Sequence, residues 1–171
     1  MTIFMKYGSI VGDVTTPGHV GWIELNSFSW GASNSATNAS SATGAAAGKV
    51  SVGDITIGKV VDSASVQLIK MALTGAETDG VIIQFDKQFY KDARGAVPGA
   101  GPQDYLQFTL DNTLVTSYSL SSGGDEPSAA SPAPAEPLDL PTESLSLTFA
   151  KLDIQYTGQT GVQDVTWAEN T

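Results

Sequence analysis

Apolar residues recur at every second position through much of this chain, and that period restricts it to a mainly β fold. Val81, Ile83 and Phe85 stand on one face with Gln84 and Asp86 on the other, and Tyr105–Leu120 carries an even-numbered series of Leu106, Phe108, Leu110, Leu114, Tyr118 and Leu120. Both predict half-buried strands. Thr2–Tyr7, Val20–Trp30 with its Trp22, Ile23, Leu25, Phe28 and Trp30, and Val162–Trp167 predict further strands from their β-branched and aromatic content. At two places the apolar parity changes by one residue: Val50 and Val52 give way to Ile55 and Ile57 around Gly53, and Leu145, Leu147 and Phe149 give way to Leu152, Ile154 and Tyr156 at Ala150–Lys151. These changes predict β-bulges, and long bulged antiparallel strands are what a β-barrel uses to bend and close.

One segment has the helical period. Ala64, Leu68, Met71 and Ala72 share a face, Asp62 or Ser63 precedes them as N-cap, and Gly75 follows as a left-handed C-cap. The pattern predicts an amphipathic helix over about 63–73, its apolar stripe packed on the sheet. Three stretches fit neither period. Gly31–Gly48 has no charge and no bulky apolar residue; Asp92–Gln103 is rich in Gly, Pro and Ala; Ser121–Pro141 is Pro/Ala-rich with several acids, reading as a solvated and disordered loop.

Composition narrows the chemistry. The 171 residues predict one domain, 1–171, with its own core. There is no cysteine and a single histidine, His19, so disulfides, thiolate catalysis and Cys- or His-based metal sites have no ligands; no catalytic, cofactor or metal residue is expected. The formal charge is −10, and residues 76–171 hold fourteen acids against four basic residues. Such a chain lacks the basic face needed for nucleic acid or anionic lipid. Met1–Ile10 shows no basic and apolar leader, and no run of apolar residues is long enough to cross a bilayer. Charged residues are only 15% of the chain, which suggests a neutral surface made to pack against copies of itself.

Several strings invite sharper readings. Gly44–Val50 has glycines and a lysine like a phosphate-binding loop, but three residues separate the glycines instead of four, Val50 replaces the hydroxyl, and a strand follows. His19 lies in a Pro-Gly-His turn with no nucleophile elbow anywhere, so it reads as a hydrogen-bonding loop residue. Asn38-Ala39-Ser40 is a glycosylation sequon without a route to the glycosylating enzymes, and Asp125-Glu126 lacks calcium-loop spacing. An acid-pair hydrolase built from the acidic second part is the residual enzymatic reading. Trp22, Phe28, Trp30 and Trp167 are candidate packing or subunit-interface residues.

Taken in order, Phe28-Ser29-Trp30-Gly31, the small-residue loop to Gly48, the run Gly48–Gly75, the strand Val81–Lys87 and Leu147–Tyr156 resemble the Hcp family, the tube proteins of bacterial type VI secretion systems. The resemblance implies a non-enzymatic β-barrel with one flanking helix, assembled as a homohexamer whose rings stack into an inner tube expelled on sheath contraction. It implies sheath, spike and baseplate proteins as partners and small effectors in the lumen, with neither nucleic acid nor membrane insertion. The protein would be cytoplasmic during assembly and then secreted without a cleaved signal. Gly31–Gly48 would be the extended ring-stacking loop, with Gly31, Ser33, Asn34, Asn38, Gly44 and Gly48 as its candidate contacts. The alternative is a secreted effector or cargo-binding member of the same fold. Asp92–Gln103 and Ser121–Pro141 look longer than the corresponding loops of the family.

Overall fold

The computed structural model describes residues 1–35, 50–87, 103–122, 140–158 and 161–169. Twelve strands and one helix follow in the order β1 (Thr2–Tyr7), β2 (Ile23–Leu25), β3 (Ser27–Ser29), β4 (Ala32–Asn34), β5 (Val50–Val52), β6 (Ile55–Val60), α1 (Ser65–Thr74), β7 (Val81–Lys87), β8 (Gln103–Asp111), β9 (Leu114–Ser121), β10 (Thr142–Thr148), β11 (Lys151–Gly158) and β12 (Gly161–Ala168). All strand pairs are antiparallel. A six-stranded sheet, ordered β12-β11-β8-β7-β1-β2, faces a four-stranded sheet, β3-β6-β10-β9, across one core, and β4 and β5 form a separate ribbon.

The core is what the alternation requires. Ile3, Met5 and Tyr7 of β1, Ile83 and Phe85 of β7, and Phe108 and Leu110 of β8 meet Ile55 and Ile57 of β6 and Leu145 and Leu147 of β10. Ala64, the N-cap of the helix, and Leu68 of α1 join them. Gly75 ends α1 at φ 61° and ψ 31°, its N–H donating to the Met71 carbonyl at 3.0 Å, as the sequence predicts. The helix begins two residues later than expected. Asp62 and Ser65 instead close a turn just before it: the Asp62 carboxylate accepts the Ala64 N–H at 2.9 Å, and the Ser65 hydroxyl accepts the Asp62 N–H at 2.9 Å.

The parity changes have a different cause from the one the sequence suggests. At Gly53–Asp54 and at Phe149–Ala150 the chain does not bulge within a strand; it leaves one sheet for another. The true register shifts lie at Phe85/Asp86, where Tyr105 is the extra residue on β8, and at Ser146/Leu147, where Thr116 is the extra residue on β9. The expected strand Val20–Trp30 is also divided. His19 and Trp22 close turns onto Thr16 and His19, so pairing starts at Ile23, and at Asn26 the chain crosses from β2 to β3. There the Asn26 N–H donates to the Gly58 carbonyl at 2.9 Å, and a Cβ on Gly58 would strike the Ser27 hydroxyl.

Tyr105–Leu120 divides in the same way. Asn112 takes the left-handed conformation at φ 49°, which asparagine tolerates, and Asn112–Thr113 turns the chain from β8 into β9 of the other sheet. The corner resets the parity, so Val115 is buried and Leu120, on an edge strand, is exposed.

Candidate assembly interface

Below the surface, one polar cluster organises the corner from which the helix departs. Lys59 follows the inward parity of Ile55 and Ile57, and its ladder partner Glu143 follows that of Leu145 and Leu147. Both lie inside the protein, 0% and 2% exposed. The Lys59 ammonium donates to Glu143 Oε2 at 3.0 Å, Asp62 Oδ1 at 2.8 Å, Ser65 Oγ at 3.1 Å and the Val60 carbonyl at 2.8 Å. Tyr118 donates its hydroxyl proton to Glu143 Oε1 at 2.9 Å. Partial burial, then the hydrogen bond to and charge of Glu143, push the Tyr118 phenol up to about 12. The cluster ties β6, β9, β10 and the helix start together, and its groups are mutually satisfied, so it is a structural clamp. It was missed in the sequence, although a lysine and a glutamate at inward parity in two apolar series were a readable signal.

A second cluster fastens the segment 8–22, which crosses the outward face of the six-stranded sheet as a strap. His19 is buried there, stacked on Phe4 with ring centroids 4.5 Å apart and edge-on to Trp22 at 4.8 Å. Its Nε2–H donates to Gln84 Oε1 at 2.9 Å, and Nδ1 stands 3.8 Å from Asp86 Oδ2. The strap also reaches the turn just before the helix. Ser63 donates its N–H to Asp13 Oδ2 at 3.2 Å, and the Ser63 hydroxyl and this N–H hold the Asp13 carboxyl below its ordinary range.

The candidate aromatic residues pack within the subunit. Phe28 meets Phe85 and Phe108 at 5.0 Å each, Trp30 meets Phe108 at 5.8 Å, Trp167 meets Phe149 at 6.0 Å, and Trp22 closes on His19. Among the candidate loop contacts, Gly31, Ser33 and Asn34 are exposed. At the described ends of this stretch, Ala32–Asn34 pairs with Val50–Val52 and the Gly53 N–H donates to the Gly31 carbonyl at 2.9 Å. The β-branched Val50 and Val52 supply the strand partner that the small residues of β4 lack. Asn38, Gly44 and Gly48, with the sequon and most of the lysine-bearing glycine string, lie outside the described residues, as do Asp125-Glu126 and most of Ser121–Pro141.

Among the described residues, both edges of the six-stranded sheet are without a strand partner in the subunit. On one flank β12 is the outermost strand of its sheet, eight residues with neither proline nor lysine to guard the edge, and Val162 and Val165 are 57% and 61% exposed. On the opposite flank β2 is a short edge, and the strap beside it exposes Val11 and Val20. No group of three or more potential metal ligands occurs among the described residues, and no described helix is long and apolar enough to cross a membrane.

Comparison with known proteins agrees with this architecture. A crystal structure of a type VI secretion system effector from Yersinia pestis is 20% identical, with 98% of this chain and 99% of that one covered at a TM-score of 0.71. A structure of a type six secretion system protein is 21% identical, covering 98% and 94% at 0.74. Hcp1 from Salmonella typhimurium is 21% identical, covering 98% and 93% at 0.68. No curated protein sequence matches the chain. At these identities the structures establish a shared fold. The sequence profile of the family described as "Type VI secretion system effector, Hcp" matches residues 4–156, nearly the whole chain, which therefore belongs to the Hcp family of type VI secretion proteins.

Proposed function

We propose that this protein is the structural subunit of a type VI secretion inner tube, closing into hexameric rings that stack. The observation that carries the reading, within this family, is the pair of free edges on opposite flanks of one sheet. A β12 edge on one copy and a β2 edge with its strap on the next are different surfaces, so their contact is heterologous, the kind that makes a ring where the rotation between copies closes. Backbone pairing gives the joint its register, and Val162 and Val165 against Val11 and Val20 give it an apolar component.

The ribbon β4–β5 and the uncharged residues beyond it serve ring-to-ring contact. Small neutral side chains meet another ring without desolvating ions. Sheath, spike and baseplate proteins contact the assembled tube, effectors travel in its lumen, and the tube leaves the cell through the secretion apparatus. The chemistry is self-packing without catalysis. Val165→Asp places a charge in the apolar part of the ring joint and leaves the core residues unchanged. The substituted chain should remain folded by circular dichroism and run as a monomer in size-exclusion chromatography with light scattering. A folded variant that still forms complete rings would remove β12 from the joint.

A further inference from the structure

We propose that the cleft between the turn Gly8–Ile10 and α1 binds a small aliphatic carboxylate, a function separate from how the subunits assemble. The cleft measures about 230 Å³ and is lined by Tyr7 and Ile10, by Gln67, Lys70 and Met71 of the helix, and by Thr78. Its backbone is shaped for close approach. Gly8 takes φ 53°, and a Cβ there would come within 2.7 Å of Thr78 Cγ2, so the turn rests on Thr78 because position 8 is glycine.

A buried donor stands at the wall of the cleft. Tyr7 is 0% exposed, and its hydroxyl has no hydrogen-bond partner among the described residues. Buried hydroxyls in native proteins are nearly always paired, so this one calls for a partner from outside the subunit. Burial raises the phenol above its ordinary range, and the Thr78 side chain offsets part of that rise without completing a hydrogen bond of ordinary geometry. The phenol is therefore neutral and able to donate. Thr78 lines the same cleft, which places the phenol oxygen beside it.

The charge of the cleft selects the ligand. Lys70 is exposed and forms no ion pair among the described residues, and no carboxylate lines the cleft. The cleft beside β2, by contrast, is lined by Asp13, Glu24 and Asp62, as expected of a chain with a formal charge of −10. A carboxylate accepts a charge-assisted bond from the Lys70 ammonium and a second bond from the Tyr7 O–H. Ile10 and Met71, both half-buried, supply an apolar wall for its carbon chain, which an inorganic anion would leave uncovered. At about 30 Å³ per water the cleft has the room of roughly eight waters, enough for an acid of about four to six carbons.

Met71 is one of three methionines, so methyl-labelled protein reports the cleft through a single NMR signal, with Met1 and Met5 as internal controls. Hexanoate should shift the Met71 signal saturably, and hexanamide and inorganic phosphate should each bind about tenfold more weakly. Lys70→Met should lose about tenfold in hexanoate affinity. Tyr7→Phe should weaken hexanoate binding with no fall in Tm, because the hydroxyl it removes has no partner in the subunit. If Tyr7→Phe does not fold, the parent and Lys70→Met decide the matter between them. Hexanamide or phosphate binding as tightly as hexanoate, or Lys70→Met binding it like the parent, would overturn the carboxylate assignment. Absence of a saturable Met71 shift with hexanoate would overturn the site itself.

Discussion

Replacing Lys59 by methionine tests whether the buried cluster holds the corner of the fold. Methionine keeps the length and apolar stem of lysine and removes the charge and the three N–H donors that four acceptors share. The Glu143 carboxylate, 2% exposed, then keeps only the Tyr118 hydroxyl as a partner among the contacts described above. Breaking one side of a buried ion pair costs about 3–5 kcal/mol, because the remaining charge has lost its compensation. In a domain of this size about 2–4 °C of Tm is lost per kcal/mol, so Lys59→Met should lower Tm by roughly 6–20 °C. The double replacement Lys59→Met with Glu143→Leu removes both buried charges and should recover most of that loss. Thermal melts of the two single variants, the double variant and the parent supply the cycle. The reasoning fails if Lys59→Met melts within about 2 °C of the parent, or if the double variant is as unstable as the two single losses added together.

Tyr118 gives a pH signature. Its phenol is raised from 10.0 to about 12 in the folded protein, so above the unfolded value the folded state holds more protons than the unfolded one, and stability falls as pH rises from about 10 towards 12. Urea midpoints for Tyr118→Phe should lose part of that alkaline slope, and identical slopes would refute the assignment. His19→Ala leaves the Gln84 carbonyl without its donor and Phe4 without its stacking partner, at a cost of about 1–3 kcal/mol. Hydrogen exchange should speed up in residues 8–22 ahead of the sheet, whereas unchanged protection there would show that His19 does not anchor the strap. Ser33→Glu with Asn34→Glu puts like charges on the exposed ribbon; rings should persist while tubes shorten in electron micrographs, and loss of the rings themselves would contradict a stacking role.

The strands were legible where one face of a sheet is buried and one is wet, as at Val81–Lys87 and Thr2–Tyr7, because burial writes itself into the alternation. The helix showed through Ala64, Leu68 and Gly75, whose spacing has no strand interpretation. Corners were misread because a chain that leaves one sheet for another changes parity just as a bulge does; Phe149–Ala150 and Gly53–Asp54 carry no local mark of the difference. The bulges at Tyr105 and Thr116 depend on the partner strands, which a single segment does not reveal. His19 was readable as a hydrogen-bonding residue but not as the anchor of a strap, since Gln84 and Asp86 are brought to it only by the sheet. Trp30 and Trp167, candidates for packing or an interface, have Phe108 and Phe149 as ring neighbours, partners that only the folded sheets bring to them.

Self-assembly through the two free edges is the central claim, and electron microscopy of the purified chain measures it directly. The account predicts closed rings with sixfold symmetry, stacking into short tubes as concentration rises, and dispersed to monomers by Val165→Asp. A parent protein that stays strictly monomeric at high concentration, or rings that survive the charge on β12, would contradict it.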